Sequence, residues 1–381
     1  MNAVRPRRIA LGALILGLVM ALSFSSWLVA QARAVCALSI TLDAPVLSRA
    51  VELLTREPRT EDRLVGGVPT FIARPAGAGP WPTIVFGNGA TREGRGHPVV
   101  QRLARGHARA GFKVLVPDLP GLRSAEVDPE AAATAVAVAR AAAESPEARD
   151  GRVGFIGVST GAALGLVAAK DPLLVDRVSV VAGIAPYTDI RNVLSLGTTG
   201  SYRVGGEIRR FTPDPYLSLV TARSLIRALP AGGDRDALLG TLEPLDEYES
   251  DPLGRVLAGR PDQLGRRAEE VLDLLANRDP ARFDALYAAL PTEVRLRMEG
   301  LSPVGVKGEI RAPIELATGP RDKFFPLSEL EAPGLGPRRR VTVTTALDHG
   351  DPSPRLSELP DLLRLDAFVV RTLRAAARRG G

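Results

Sequence analysis

The stretch RVGFIGVSTGAALGLVAA, residues 152–169, opens as a β-branched, apolar run, breaks at Gly157-Val158-Ser159-Thr160-Gly161 and resumes in small, helix-favouring residues. A buried strand turning sharply into a helix has this pattern. A Ser held between two glycines at such a break has a chemical rationale. The turn projects the side chain where a substrate carbonyl can reach it, and it leaves backbone N–H groups nearby to hold a developing oxyanion. Strain at the turn and close packing of strand on helix require small neighbours, which Gly157 and Gly161 provide. Gly-x-Ser-x-Gly alone recurs by chance. Here an apolar strand precedes it and an Ala/Gly-rich helix follows.

Outward from that turn, short β-branched runs alternate with helical patterns. TFIAR (70–74), TIVFG (83–87), KVLVP (113–117), RVGFIG (152–157), RVSVVAG (177–183), PIELATG (313–319) and RVTVTTA (340–346) read as strands. Most are continuous apolar runs, as in strands covered on both faces. Helical stretches fall near 97–110, 129–144, 160–170 and 360–378. This alternation predicts an α/β fold: a mostly parallel sheet with helices on both faces. The rhythm stops between the strands at 177 and 313. From 189 to 309, helical patterns punctuated by prolines predict an all-helical insertion. In residues 261–280, Leu264, Ala268, Val271, Leu272 and Leu275 share one helical face, a stripe of core type. The insertion leaves from the carboxyl end of one strand and returns into the next, which predicts a helical cap over Ser159. Phe283 and Tyr287 are the larger apolar residues expected on its inner face.

The 381 residues, 45% of them hydrophobic, suffice for a sizeable core. The formal charge of +6 is carried almost wholly by Arg, interleaved with acids, and Lys occurs only at 113, 170, 307 and 323. No basic stripe with interleaved aromatics appears, so nucleic acid is not an expected partner. Residues 9–30 carry no charge and approach the roughly 20 residues that cross a bilayer as a helix. Arginines at 5, 7 and 8 favour a cytoplasmic start. Residues 1–35 are thus expected to be a membrane anchor, or a signal cleaved at Ala30-Gln31-Ala32 or Ala32-Arg33-Ala34, with the remainder extracytoplasmic or secreted. A chain starting at residue 37 is expected to be soluble and active. Cys36, the single cysteine, has no internal disulfide partner.

With the elbow in its strand–helix context, the chain resembles the α/β-hydrolase family over roughly residues 60–188 and 310–376. That resemblance implies a core in two parts, 60–188 and 310–381, with the cap at 189–309 between them. It also implies a triad in the order Ser, acid, His. Of His97, His107 and His349, only His349 follows Ser159, and it sits in ALDHGDP just past the last predicted strand. His97 and His107 flank a helix and read as surface or cap residues, with His97 a possible pocket residue. PIELATGPRDKFFP matches the family pattern for the acid and points to Asp322; some members take the acid from the preceding strand, which would point to Asp189. Asp118 reads as structural. The oxyanion hole is expected from the N–H groups of Thr160 and of Ala90, in Gly87-Asn88-Gly89-Ala90 where relatives often carry His-Gly. Arg92 and Arg95 are either contacts for an acidic substrate or solvated.

WPTIVFGNGAT, ARAGFKVLVPDLPG and the elbow resemble the dienelactone-hydrolase-like and esterase branches, though dienelactone hydrolases themselves carry Cys at the elbow. The resemblance implies a serine hydrolase cleaving small-molecule carboxylic esters through an acyl-enzyme, without a metal or organic cofactor. A peptidase or amidase of the same fold, or an inactive surface binding protein, are the alternatives.

Overall fold

A computed structural model describes residues 26–349, 351–352 and 359–379. Helix α1 covers residues 26–41 and α2 Pro45–Leu54, followed by β1 (Arg59–Val65), β2 (Val68–Arg74) and β3 (Trp81–Gly87). Then come α3 (Pro98–Arg109), β4 (Lys113–Pro117), α4 (Ala131–Glu144), β5 (Ala148–Val158), α5 (Ser159–Ala168) and β6 (Val178–Ile184). The insertion holds α6 (Ile190–Thr199), β7 (Ser201–Val204), β8 (Glu207–Arg210), α7 (Tyr216–Arg227), α8 (Gly233–Leu242), α9 (Pro252–Ala258), α10 (Arg266–Ala276), α11 (Phe283–Ala289) and α12 (Thr292–Glu299). The chain closes with β9 (Ile314–Thr318), β10 (Arg339–Val343), the short pair β11 (Leu347–Asp348) and β12 (Asp351–Pro352), and α13 (Leu359–Ala376).

Eight strands form one sheet in the order β1-β2-β4-β3-β5-β6-β9-β10. β2 runs antiparallel to β1 and β4, and every pairing from β4 onward is parallel. All seven expected strands are present. β1, rich in charge, was not expected; it is the exposed edge, joined to β2 by a tight turn at Gly66-Gly67 with φ of 58° and 82°. Charged side chains on an edge discourage pairing with another chain.

The sheet separates two packed layers. On one face α3 and α13 cover Ile84, Phe86, Val114, Val116 and Val180, joined by Ala30, Ala34 and Ala37 of α1. On the other, α4 and α5 pack with the insertion in one continuous apolar cluster that runs from Val65 to Leu335. The insertion is therefore part of the main core. It is also not all-helical: β7 and β8 form a hairpin around Gly205-Gly206, both at positive φ, the geometry of a two-residue hairpin turn. The stripe of α10 is core, as its spacing indicated, with Ala268, Val271, Leu272 and Leu275 buried. Phe283 and Tyr287 are core too, stacked on each other with centroids 6.0 Å apart and absent from the cavity beside Ser159. They belong to the packing that holds the cap down.

The greater part of the expected membrane segment, residues 9–25, lies outside the described residues, and no helix among the described residues is long and apolar enough to cross a membrane. Residues 26–30 begin α1, so the boundary expected after residue 35 falls inside a helix. Ala37 packs against Gly106 of α3, where an added Cβ would come within 2.8 Å of the Ala37 carbonyl oxygen, and the Gln31 side chain donates to Asp366 of α13 at 2.8 and 2.9 Å. A chain starting at residue 37 would lose the first two-thirds of this packed helix.

Candidate active site

Three glycines stand abreast at the carboxyl end of the central strands: Gly87 of β3 pairs with Gly157 of β5, which pairs with Gly183 of β6. Their missing side chains let the first turn of α5 settle onto the sheet. A Cβ on Gly161 would lie 2.3 Å from the backbone of Gly87, one on Gly157 2.7 Å from the Ala162 nitrogen, and one on Gly183 3.0 Å from the Ala162 Cβ. No side chain fits the first two places. Ser159 is the first residue of α5 and is held at φ 52°, a left-handed conformation that costs a non-glycine residue energy and that the surrounding packing enforces. Its side chain opens on a cavity of about 540 Å³.

His349 lines the same cavity. It stands at the turn between β11 and β12, itself at φ 50°, with Nδ1 2.8 Å from Asp322 Oδ2. The rings of Phe324 and Phe325 flank the imidazole at 4.4 and 5.8 Å. Asp322 follows β9 and is nearly enclosed. Its Oδ1 accepts hydrogen bonds from the Phe324 and Phe325 N–H groups at 2.8 and 2.9 Å. Burial by itself would raise this carboxyl, but the bonds from His349 and from the two N–H groups outweigh it and hold it below the usual carboxylate range. An ionised carboxylate fixed on Nδ1 leaves the opposite ring nitrogen, Nε2, as the one free to take a proton.

Asp189, the alternative acid, is otherwise engaged: it caps α6 and accepts from the Arg191 N–H at 2.9 Å. Asp118 pairs with Arg123 at 3.4 Å and Arg95 at 3.8 Å and is structural. Arg95 also pairs with Asp62, and Arg92 donates to the Leu245 carbonyl at 3.2 Å, so both arginines hold loops together. His97 lines the cavity. His107 does as well, and there the surface reading fails: it is buried, its Nδ1 lies 2.8 Å from the Leu103 carbonyl oxygen, and burial pushes its ring towards the neutral form. The helical period places it on the inner face of α3, which its position in the sequence near a helix end obscured.

Thr160 and Ala90 both line the cavity beside Ser159. Gly89 brings the loop after β3 against the elbow, a Cβ there lying 3.6 Å from that of Ser159. Asn88, where relatives often carry His, donates from its side chain to the Gly89 carbonyl at 2.8 Å and so braces the loop itself. The next carbonyl, that of Ala90, accepts from the hydroxyl of Tyr216 at 2.7 Å. Tyr216 opens α7 and is a site residue that sequence reading missed. Burial, with Glu247 nearby, pushes its hydroxyl up to about 12, so it stays protonated and donating. The insertion thus reaches the site: Tyr216, Leu217, Val220, Glu247 and Tyr248 line the cavity over Ser159.

By sequence, no protein-family profile and no curated protein matches the chain. Among solved structures it is similar to a Legionella pneumophila protein provisionally described as a hydrolase, at 15% identity over 90% of this chain and 95% of that one, TM-score 0.52. The rice cell wall degrading esterase LipA from Xanthomonas oryzae is 15% identical over 84% of this chain and 90% of that one, TM-score 0.49. A dienelactone hydrolase from Anabaena variabilis is 15% identical over 85% and 100%, TM-score 0.41. The first of these likenesses bears on the fold, and it agrees with the eight-stranded sheet and the strained Ser at the strand–helix turn: the chain has the α/β-hydrolase fold.

Proposed function

We propose that the protein is a serine hydrolase that cleaves carboxylic esters through an acyl-enzyme. The observation that carries this reading is the Asp322–His349 hydrogen bond at 2.8 Å, in a cavity that Ser159 enters from a strained turn. Ser159 Oγ attacks the ester carbonyl while His349 Nε2 takes its proton. Asp322 keeps the imidazole in the tautomer that can do so and stabilises the imidazolium. The N–H groups of Thr160 and Ala90 hold the negative oxygen of the tetrahedral intermediate. His349 then gives its proton to the departing alcohol, and the acyl group remains on Ser159. Water, deprotonated by His349, repeats the attack and releases the acid.

Ser159→Ala should lower kcat on activated esters by several orders of magnitude, on the order of a million-fold as for other serine nucleophiles, and abolish labelling by a fluorophosphonate with the melting temperature kept. Turnover above about a tenth of wild type would remove Ser159 from the role.

The same reading includes anchorage at a membrane, or export after cleavage, with the catalytic part extracytoplasmic. The uncharged residues 9–30 support it. So do the exposed Trp27, Leu28 and Val29 at the end of that segment and the exposed Val46, Leu53 and Leu54 of α2 after it, a concentration of apolar surface. Full-length, unprocessed protein recovered in the soluble cytoplasmic fraction would contradict it.

A further inference from the structure

We infer that the cavity beside Ser159 takes a long, unbranched acyl chain, and that α1 is the wall that gives the chain its room. This rests on the ester-hydrolase reading above and names its substrate class. From Ser159 the cavity extends over the face of the sheet covered by α3 and α13, with Phe86, Ile156 and Val158 as its floor. Leu365, Phe368, Val369, Thr372 and Leu373 of α13 form one stripe along it, about 12 Å of helix at the standard rise. Val99, Val100, Leu103 and His107 of α3 run for a similar length, and Ala37, Leu38 and Thr41 of α1, with Leu42 just past its end, close the space.

Among the described residues this arm holds no charge. The carboxylates and ammonium group that line the cavity, Asp214, Glu247 and Lys323, all come from the insertion or the loop after β9, and Lys323 and Asp214 pair at 3.7 Å. Two of the arm's polar side chains are inward-bonded: the Thr41 hydroxyl donates to the Ala37 carbonyl at 2.7 Å, and His107 Nδ1 is engaged by Leu103. Thr372 Oγ1 is buried with no partner among the described residues. A long slot without charge, opening at the nucleophile, selects an alkyl chain, while the polar mouth under the cap faces the alcohol side of the ester.

Each methylene that enters the arm should raise kcat/KM about fourfold, so wild-type rates on p-nitrophenyl esters should climb from butyryl through octanoyl to dodecanoyl. Leu38→Trp in α1 and, independently, Val369→Phe in α13 fill the arm without touching Ser159, Asp322 or His349. Each should keep butyryl turnover within about twofold and cut dodecanoyl turnover at least tenfold. Thr372→Val, which removes the unpartnered hydroxyl at constant shape, should leave dodecanoyl turnover unchanged or raised; a tenfold fall would mean that the chain carries a polar group, and would overturn the proposal. So would folded arm variants that retain the wild-type dodecanoyl-to-butyryl ratio. A second readout is independent of catalysis: dodecanoate should bind calorimetrically to Ser159→Ala and fail to bind when Leu38→Trp is added. Loss of ester turnover and of fluorophosphonate labelling with this binding intact would sink the hydrolase reading and leave the arm standing; equal binding by both proteins would sink the arm alone.

Discussion

Adding one methyl group at Gly161 tests the elbow at its tightest point. The new Cβ would sit 2.3 Å from the Gly87 backbone, which cannot swing away as a side-chain end can. Gly161→Ala should therefore cost about 3 kcal/mol or more, at the upper end of overpacking effects, and appear as a sharp fall in melting temperature. Gly89→Ala, with its nearest neighbour at an ordinary 3.6 Å, should fold normally and serves as control. Asp322 gives a test by pH. Its folded value lies below the ordinary one, so its ionised form stabilises the protein fully above about pH 4, and that contribution is lost as pH falls through the folded value. The melting-temperature gap between wild type and Asp322→Asn should be widest near neutrality and close as the pH falls below the ordinary carboxylate range and through the folded value; a gap that ignores pH would contradict the depressed carboxyl. Tyr216→Phe removes the bond to the Ala90 carbonyl and should lower kcat roughly five- to tenfold with KM little changed, from the net worth of one buried hydrogen bond. The pairing of Asp322 with His349 was legible in the sequence because the order Ser, acid, His that the resemblance implies leaves a single histidine after Ser159, and the two are joined at 2.8 Å. Tyr216 was not, because its partner lies 126 residues away and no local pattern reports such a contact.

Among the elements, α6 depends on a carboxylate that does not belong to it. Glu329, buried after the Asp322 loop, accepts from the N–H groups of Thr188 and Asp189 at 2.8 and 2.9 Å and from the Asn192 amide at 2.9 Å. Burial raises its carboxyl above the ordinary value despite these bonds. Glu329→Ala would orphan two N–H groups at the start of α6 and should cost about 3 kcal/mol. Because the same latch holds the loop that carries Asp322, amide exchange should quicken both at residues 188–192 and at 322–325. Acceleration confined to one segment would show that the two are not joined. Element by element, apolar parallel strands were plain from sequence and polar ones were not. β1 and the β7–β8 hairpin were both missed, and for one reason: their side chains are charged or polar, so hydropathy carried no signal. The turn chemistry did carry one. Each hairpin closes on a Gly-Gly pair at positive φ, Gly66-Gly67 and Gly205-Gly206, flanked on both sides by residues that can extend.

For the whole molecule, α1 changes what the N-terminal region is. Ala30, Ala34, Ala37 and Ile40 are buried, so a chain starting at residue 44 loses packing as well as a cavity wall. Its melting temperature should fall by roughly 5–10 °C, and dodecanoyl turnover should drop further than butyryl turnover; equal losses would mean that α1 serves stability alone. Hydropathy marked residues 9–30 as one apolar run and could not show where such a run passes into a helix that docks on the body. That boundary is set by small residues fitting against Gly106 and by a bond from Gln31 to Asp366, contacts visible only once the chain has folded. These partners are 335 positions apart. During synthesis one wall of the arm is thus the first part of the domain to leave the ribosome and the opposite wall, α13, nearly the last. For most of that time Ser159 exists without His349 and without the second wall of its cavity, so the pocket beside the strand–helix turn is completed only when α13 docks.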